Sequence, residues 1–477
     1  MKKILLPLLL LFIVKANAQL LSWTPDFIHE SSTPVTITMN ANFGNKGLLN
    51  YTPTTDVYVY IGVITNLSTN SGDWKYVKFP NFNTPYAAAQ CTSLGNNKWS
   101  YTITGGLRTY FNITNASETI KKIAILFKNG NGNSVQRNAD GSDMFVPVYD
   151  NGLYARIDVP YQQPMYSPIP EPITKNVGDP LSITMKASKT STLSILFNGT
   201  QIKTGSGTSL SASTTIAVGG PQTIIAKAVS GTTAADTMQF VVKPTVTVAP
   251  IPAGDTDGIN YEAGNTSVVL VLYSPLKQYI YVEGDFNNWQ IQSNYLMNKT
   301  PDGNRFWIRI NNLTPGTEYA YQYLIDGTLK VADYNCEKIL DPDNDKYIST
   351  TTYPNLKPYP TGKTTGIVSV LQTAKPVYTW QINNFSRPNK QNLVIYELLV
   401  RDFTAAGNFQ TLTDTLNYLQ RLGVNAIEVM PFNEFEGNNS WGYNPDFYFA
   451  PDKYYGTKNK LKEFIDKCHL NGIAVIL

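Results

Sequence analysis

The sequence predicts a multidomain chain that is all-β over most of its length and turns β-α-β-α-β at its carboxy-terminal end. Three observations carry that prediction. Up to Pro376, short runs in which apolar and polar residues alternate lie between Asn, Gly and Pro turns, the period-two pattern of half-buried strands. Two Pro-rich stretches, Pro160 to Pro172 and Pro250 to Gly258, divide those runs into blocks. From Leu393 the pattern changes to apolar runs of strand length separated by stripes at helical spacing. A length of 477 residues, at about 150 per domain, agrees with three or four domains.

The chain begins with Lys2-Lys3, an apolar run from Ile4 to Val14, and Ala16-Asn17-Ala18 before Gln19. That is the n-region, h-region and small-residue cleavage site of an export signal, expected over 1–18. The run is shorter than the roughly 20 residues a bilayer span needs, so no membrane anchor is expected and the product would be secreted, periplasmic or at the cell surface. Charged residues make up only 15% of the chain and the net charge is +3. Neither a nucleic acid nor an anionic membrane is suggested as a partner, and a monomer is expected. Cys91, Cys336 and Cys468 are odd in number and far apart, which predicts buried free thiols rather than a disulfide framework.

The first block, 19–160, shows strand patterns at Val57–Val63, Lys98–Ile103 and Ile120–Phe127, as in a β-sandwich. Gly72-Asp-Trp74-Lys-Tyr76 and Asn97-Lys-Trp99-Ser-Tyr101 resemble the aromatic-bearing starch-binding modules attached to amylases. By that resemblance Trp74 is the candidate sugar platform, with Tyr76 and Trp99 next, and sandwich-core tryptophans are the competing reading. The second block, 161–249, has strand patterns at Leu181–Lys186, Thr192–Phe197 and Thr223–Val229, looks like an immunoglobulin-like β-sandwich spacer, and offers no convergent polar set. The third, 250–376, carries Gly284-Asp285-Phe286-Asn287-Asn288-Trp289 and Tyr321-Gln-Tyr323-Leu-Ile-Asp326-Gly327. It resembles the glycogen-binding-like sandwich that precedes the catalytic barrel in branching and debranching enzymes. Sugar-binding members have a second tryptophan after the Asp-Gly turn, where this chain has Leu329. Trp289 is therefore a candidate either for sugar contact or for packing against the barrel.

In the last block, 377–477, Leu393 to Val400 is a nearly continuous apolar run, the mark of a strand covered on both faces. Leu412, Leu416, Leu419 and Leu422 form one helical stripe closed by Gly423 as a C′ stop. Val424 to Met430 reads as a second strand, Leu461, Phe464, Ile465 and Cys468 as a second helix stopping near Gly472, and Ile473 to Leu477 as a third strand. Such a run implies right-handed crossovers and a parallel sheet whose working loops lie at the strand C-termini. The loop after the second strand is long and aromatic. It contains Pro431-Phe432, Trp441-Gly442-Tyr443-Asn444, Tyr448-Phe449-Ala450-Pro451 and Tyr455-Gly456-Thr457.

Those pieces, with Val429-Met430 before them and Cys468-His469 through Leu477 after them, resemble the α-amylase family of glycoside hydrolases. The resemblance implies the start of a (β/α)8 TIM barrel acting on starch, glycogen or maltooligosaccharides. It places Tyr443 under the sugar ring at the cleavage point, with Trp441 and Asn444 flanking it. Core aromatics beneath a long loop are the bland alternative for Trp441, Tyr443 and Tyr448. In the family, the nucleophilic Asp, the acid/base Glu and a third Asp come later than the position of Leu477. A retaining glycosidase needs two carboxyl groups about 5–5.5 Å apart, so no catalytic residue is assigned here and an inactive amino-terminal fragment is expected. Complete, the enzyme would be a retaining α-glucan hydrolase. A debranching or branching enzyme is the alternative within the family, and a non-catalytic starch-binding protein the alternative outside it.

Other patterns lead nowhere. Gly362-Lys363-Thr364 lacks the earlier glycine of a phosphate-binding loop. Asp341, Asp343 and Asp345 alternate like the start of a calcium loop, but Lys346 and Thr352 stand where Gly and Glu are needed, so a solvated turn is expected. Calcium in the complete enzyme is implied only by the family, and no metal site is assigned. With only His29 and His469, no Ser-His-Asp set can be built, and His469 is expected near a helix end.

Overall fold

Alternation places the first core. In the computed structural model, which describes residues 19–162, 173 and 175–477, Val57–Thr65 pairs antiparallel with Ile120–Asn129, so that Val59 faces Phe127 and Ile61 faces Ile125. These strands lie in one sheet with Met144–Tyr149 and Ile28–His29. A second sheet runs Leu21–Thr24, Val35–Asn40, Lys98–Ile103, Thr92–Gly95. Val35, Ile37, Met39, Trp99 and Ile103 from one sheet and Val59, Ile61, Ile125 and Val146 from the other share one buried core. The expected export signal and most of the first Pro-rich stretch lie outside the described residues. Among the described residues no helix is long and apolar enough to cross a membrane.

The second block departs from expectation. Leu181–Lys186 and Thr192–Phe197 are one strand, Pro180–Phe197, because Ala187-Ser-Lys-Thr-Ser191 contains no Gly, Pro or Asn to turn the chain. Its pairing with Thr200–Thr215 shifts between Lys186 and Ser191, a bulge that lets the first part pair with Ala155–Val159 and the second with Gly220–Ser230. A single sheet results in place of two sheets of short strands. By contact density the described chain forms two compact units. One comprises 19–162, Pro180–Thr215 and Thr223–Gln239. The other holds Ile216–Gln222 and Phe240–Leu477, with the few residues before Pro180.

In the second unit, the sheet Gly258–Tyr261, Val268–Tyr273, Arg305–Ile310, Asn298–Lys299 faces the sheet Ile280–Gly284, Glu318–Ile325, Val368–Gln372, Ile339–Leu340. Leu270, Ile308, Val282, Tyr321 and Tyr323 fill the space between them. Beyond it, Ile395–Leu398, Ala426–Val429 and Ala474–Ile476 form the expected parallel sheet, in chain order.

Two details differ from the sequence reading. The first parallel strand is short and its Ile395 is half exposed, since it sits at the sheet edge and nothing among the described residues covers that face. The single helix expected over Leu412–Leu422 is two, Phe409–Asp414 and Leu416–Arg421. Thr415 Oγ1 donates to the carbonyls of Leu412 (2.8 Å) and Thr411 (3.1 Å), and this back-bonding replaces regular helix geometry at the join. Gly423 does stop the second piece, at φ 79°, with Val424 N–H donating to Leu419 O. The last helix, Lys458–Leu470, buries Leu461, Phe464 and Cys468, and His469 lies in its final turn against the Phe385 ring. All three cysteines are buried and free.

Candidate functional site

The loop after the second parallel strand builds the site. Asn433–Phe435 and Pro445–Pro451 form an irregular antiparallel ribbon, tied by Asn433 Nδ2 donating to Tyr448 O at 2.6 Å. Between them the chain turns tightly at Ser440–Asn444. Gly442 takes φ 86°, and a Cβ there would stand 2.0 Å from Pro431 O, so only glycine fits. Its N–H donates to Ser440 Oγ (3.0 Å), and the Ser440 hydroxyl bonds the Asn444 side-chain oxygen. Arg401, just past the first parallel strand, donates to Asn439 Oδ1 (2.6 Å) and Ser440 O (3.1 Å) and so fixes the turn from below.

The turn and ribbon present aromatics outward. Trp441 is 63% exposed, Tyr443 65%, Tyr448 68% and Phe449 60%, so among the described residues no core encloses these rings. Phe447, between two of them, is buried, and the in-out alternation breaks after it, since Tyr448 and Phe449 are both exposed and Ala450 is buried. Tyr443 and Tyr448 border an open cavity of about 520 Å³ with Pro431, Phe432, Asn433 and Pro445. Asn444, next to Tyr443 in the turn, is exposed. Flat, exposed rings beside an open hollow suit the C–H faces of sugars.

The acids near this cleft do something else. Lys453 is buried, with its ammonium 2.5 Å from Glu434 Oε1 and 3.3 Å from Asp345 Oδ1. Burial would push that ammonium down, but Glu434 and Asp345 outweigh it and keep it charged. Asp345 is thus no solvated turn: it stands against a buried cation from another part of the chain. Burial, and then the Glu434 charge, pushes the Asp452 carboxyl well up, and its Oδ2 has no hydrogen-bond partner. Glu436 and Asp446 are exposed on the same loop. Among the described residues no group of three or more His, Cys, Asp or Glu could hold a metal ion.

Residues 377–477 match the family described as alpha amylase, catalytic domain. That segment belongs to the α-amylase family. The chain is similar to malto-oligosyltrehalose trehalohydrolase of Saccharolobus solfataricus, 36% identical over 112 residues, covering 24% of this chain and 20% of that protein. A longer stretch is similar to the 1,4-alpha-glucan branching enzyme of Cupriavidus pinatubonensis, 28% identical over 228 residues, covering 45% of this chain and 28% of that one. Among solved structures, a putative alpha amylase from Salmonella typhimurium aligns at 26% identity and TM-score 0.37, over 46% of this chain and 32% of that one. The catalytic module of the multi-modular glycogen-degrading pneumococcal virulence factor SpuA aligns at 23% and 0.36, over 47% and 37%. The chain spans less than a third of the length of these curated relatives.

Other residues singled out in the sequence fall apart by burial. Trp99 is 2% exposed and donates its indole N–H to Thr54 O at 2.8 Å, so it is a core residue with no free ring face. Trp74 is half-buried, leaning on Tyr60 at 5.5 Å and edge-on to Phe145 at 6.4 Å, with Nε1 donating to Ser71 O. Tyr76 remains partly exposed and donates to Glu118 Oε2 at 2.6 Å. Trp289 is buried under Leu356 and Tyr359 and against Leu340 and Val368, inside its own sandwich rather than against the α-amylase segment. Of the predicted set, the fold brings Trp441, Tyr443 and Asn444 together. Arg401, Asn433 and Tyr448 join them unpredicted. Only the position of Arg401 just beyond an apolar strand could have signalled it.

Proposed function

We propose that this chain takes part in α-glucan metabolism as part of an α-amylase-family enzyme, and that its Trp441–Tyr443 turn holds the glucan beside the cleavage point. The single observation that supports this reading most is the exposure of Tyr443 and Trp441 on a braced turn at the C-terminal end of a parallel strand, inside the segment that matches the family. Tyr443 stacks on a pyranose ring, Trp441 extends the platform, and Asn444 offers its amide to a hydroxyl. Hydrolysis with retention requires an attacking and a protonating carboxyl group. Glu434 and Asp452 are turned into the Lys453 cluster, and Glu436 and Asp446 share one exposed loop, so binding without cleavage is the activity proposed for these 477 residues.

A branching or debranching activity of the whole enzyme is the second reading. It is favoured by the 228-residue similarity to a branching enzyme, which is longer than the α-amylase segment itself. Export to the cell surface or medium is proposed from the first 18 residues alone.

The test is local. Hydrogen exchange of the 436–450 amides, measured with and without maltoheptaose, is expected to slow with the sugar, to be unaffected by cellohexaose, and to lose the effect in Tyr443→Ala. Slowing that persists in Tyr443→Ala and Trp441→Ala together removes the site, and reducing-sugar release by the purified chain removes the claim of binding alone.

A further inference from the structure

The loop that carries Trp441 and Tyr443 is seated on the β-sandwich before it. Phe447 and Ala450 are buried against Cys336 and Ile339 of the sandwich. Asn438 Nδ2 donates to Asn344 O at 2.9 Å. Lys458, at the start of the last helix, pairs with Glu337 at 2.8 Å. Between these contacts lies Lys453, whose ammonium joins Glu434 of the loop to Asp345 of the sandwich.

The chemistry of that last contact makes it more than an accident of packing. An ammonium with almost no exposure carries a desolvation penalty that one partner does not cover, and removing one partner of such a pair leaves a buried uncompensated charge. Within the loop, Lys453 finds Glu434, while the Asp452 carboxyl offers it no bond. The second carboxylate comes from Asp345, some hundred residues earlier. A loop held this way has one seat, because sliding it off the sandwich would strand Lys453. Phe447 is enclosed at the same seat, while its neighbour Tyr448 is exposed and borders the open cavity.

We propose that Asp345, acting through Lys453, is a positioning residue that sets where the Trp441–Tyr443 turn stands, so that this sandwich acts on the glucan through the loop and not through its own Trp289. The glucan half of this inference rests on the function proposed above. The loop-seating half does not.

The experiment uses the full chain. Asp345→Asn is expected to speed exchange of the 436–450 amides at least tenfold, while amides in Ile280–Gly284 and Glu318–Ile325 keep their protection. The slowing caused by maltoheptaose is expected to need several-fold more sugar. Asp345→Glu, which keeps the charge, restores both, a rescue that a purely space-filling role would not give. Should Asp345→Asn unfold the sandwich as well, Asp345→Asn combined with Glu434→Gln and Lys453→Met removes all three charges of that contact together and is expected to fold with the loop loosened. Wild-type exchange of 436–450 in whichever variant folds overturns the inference. A maltoheptaose effect already absent from the wild-type chain defeats the glucan reading instead, and the exchange rates without sugar still decide whether Asp345 seats the loop.

Discussion

Trp289 Nε1 donates to Asp285 Oδ1 at 3.0 Å, and the same carboxylate accepts from Ala320 N–H at 2.9 Å and pairs with Lys357 at 3.0 Å. Burial pushes that carboxyl up, but the three donors outweigh it and hold it below the usual range. Trp289 is thus tied into the sandwich by its polar end and enclosed by its ring. Trp289→Ala is expected to cost about 3–5 kcal/mol in the unfolding transition of this sandwich. Retardation of the chain in an amylose gel should be unchanged. A variant that keeps its stability and loses retardation would return Trp289 to the sugar-contact role.

Tyr443 should behave in the opposite way. Its ring is mostly exposed, so Tyr443→Ala is expected to change stability by no more than about 0.5 kcal/mol. The same change should weaken maltoheptaose binding by roughly 1–3 kcal/mol, by analogy with stacking on other aromatic platforms. Tyr443→Phe should cost much less. Calorimetric titration alongside urea unfolding separates the two effects, and equal affinity in all three proteins would reduce Tyr443 to a surface residue.

Gly442 tests the turn that presents it. Its left-handed backbone costs any other residue about 1–2 kcal/mol, and the added Cβ would meet the Pro431 carbonyl. Gly442→Ala is therefore expected to open the 438–445 turn to limited proteolysis while leaving the parallel sheet protected. Unchanged cleavage would mean that the turn relaxes without strain.

Two acids should show opposite pH dependence. Burial pushes the Glu337 carboxyl up, but hydrogen bonds from Lys375 and Lys458 outweigh it and hold it at about 2, from an ordinary 4.5. A lowered folded-state pKa contributes stability that is present above 4.5 and lost as the pH falls through 2. Glu337 is partly exposed, so Glu337→Gln should cost only about 0.2–1 kcal/mol at neutral pH, a difference that disappears by about pH 2. Asp452 is raised by burial, so its charged form costs stability that grows as the pH rises above 3.8. Asp452→Asn should stabilise the chain at neutral pH and make no difference below 3.8. Urea midpoints across pH 2 to 7 check both signs.

Much of the site was legible in the residues. The Trp-Gly-Tyr turn, the strand before it and the Gly423 helix stop depend on spacing within a few residues, and local sequence decides such geometry. Burial was not legible. Trp74, Trp99 and Trp289 carry similar local patterns, Gly-Asp-Trp, Asn-Lys-Trp and Asn-Asn-Trp, yet one is half-buried and two are enclosed, because enclosure depends on segments such as Leu356–Tyr359 that arrive from far along the chain.

The sequence by itself determined the order of the elements, the parallel β-α-β-α-β run, the absence of disulfides among the three thiols and the family of the last 101 residues, since each comes from periodicity, count or motif. Tertiary structure alone decided which strands pair with Pro180–Phe197 on either side of its bulge, and that Asp345 is not a solvated turn but the second partner of a buried Lys453. A charge reads as surface in any sequence, because water is its most favourable environment. Only a fold that brings Glu434 and Asp345 to one ammonium makes the interior tolerable for it.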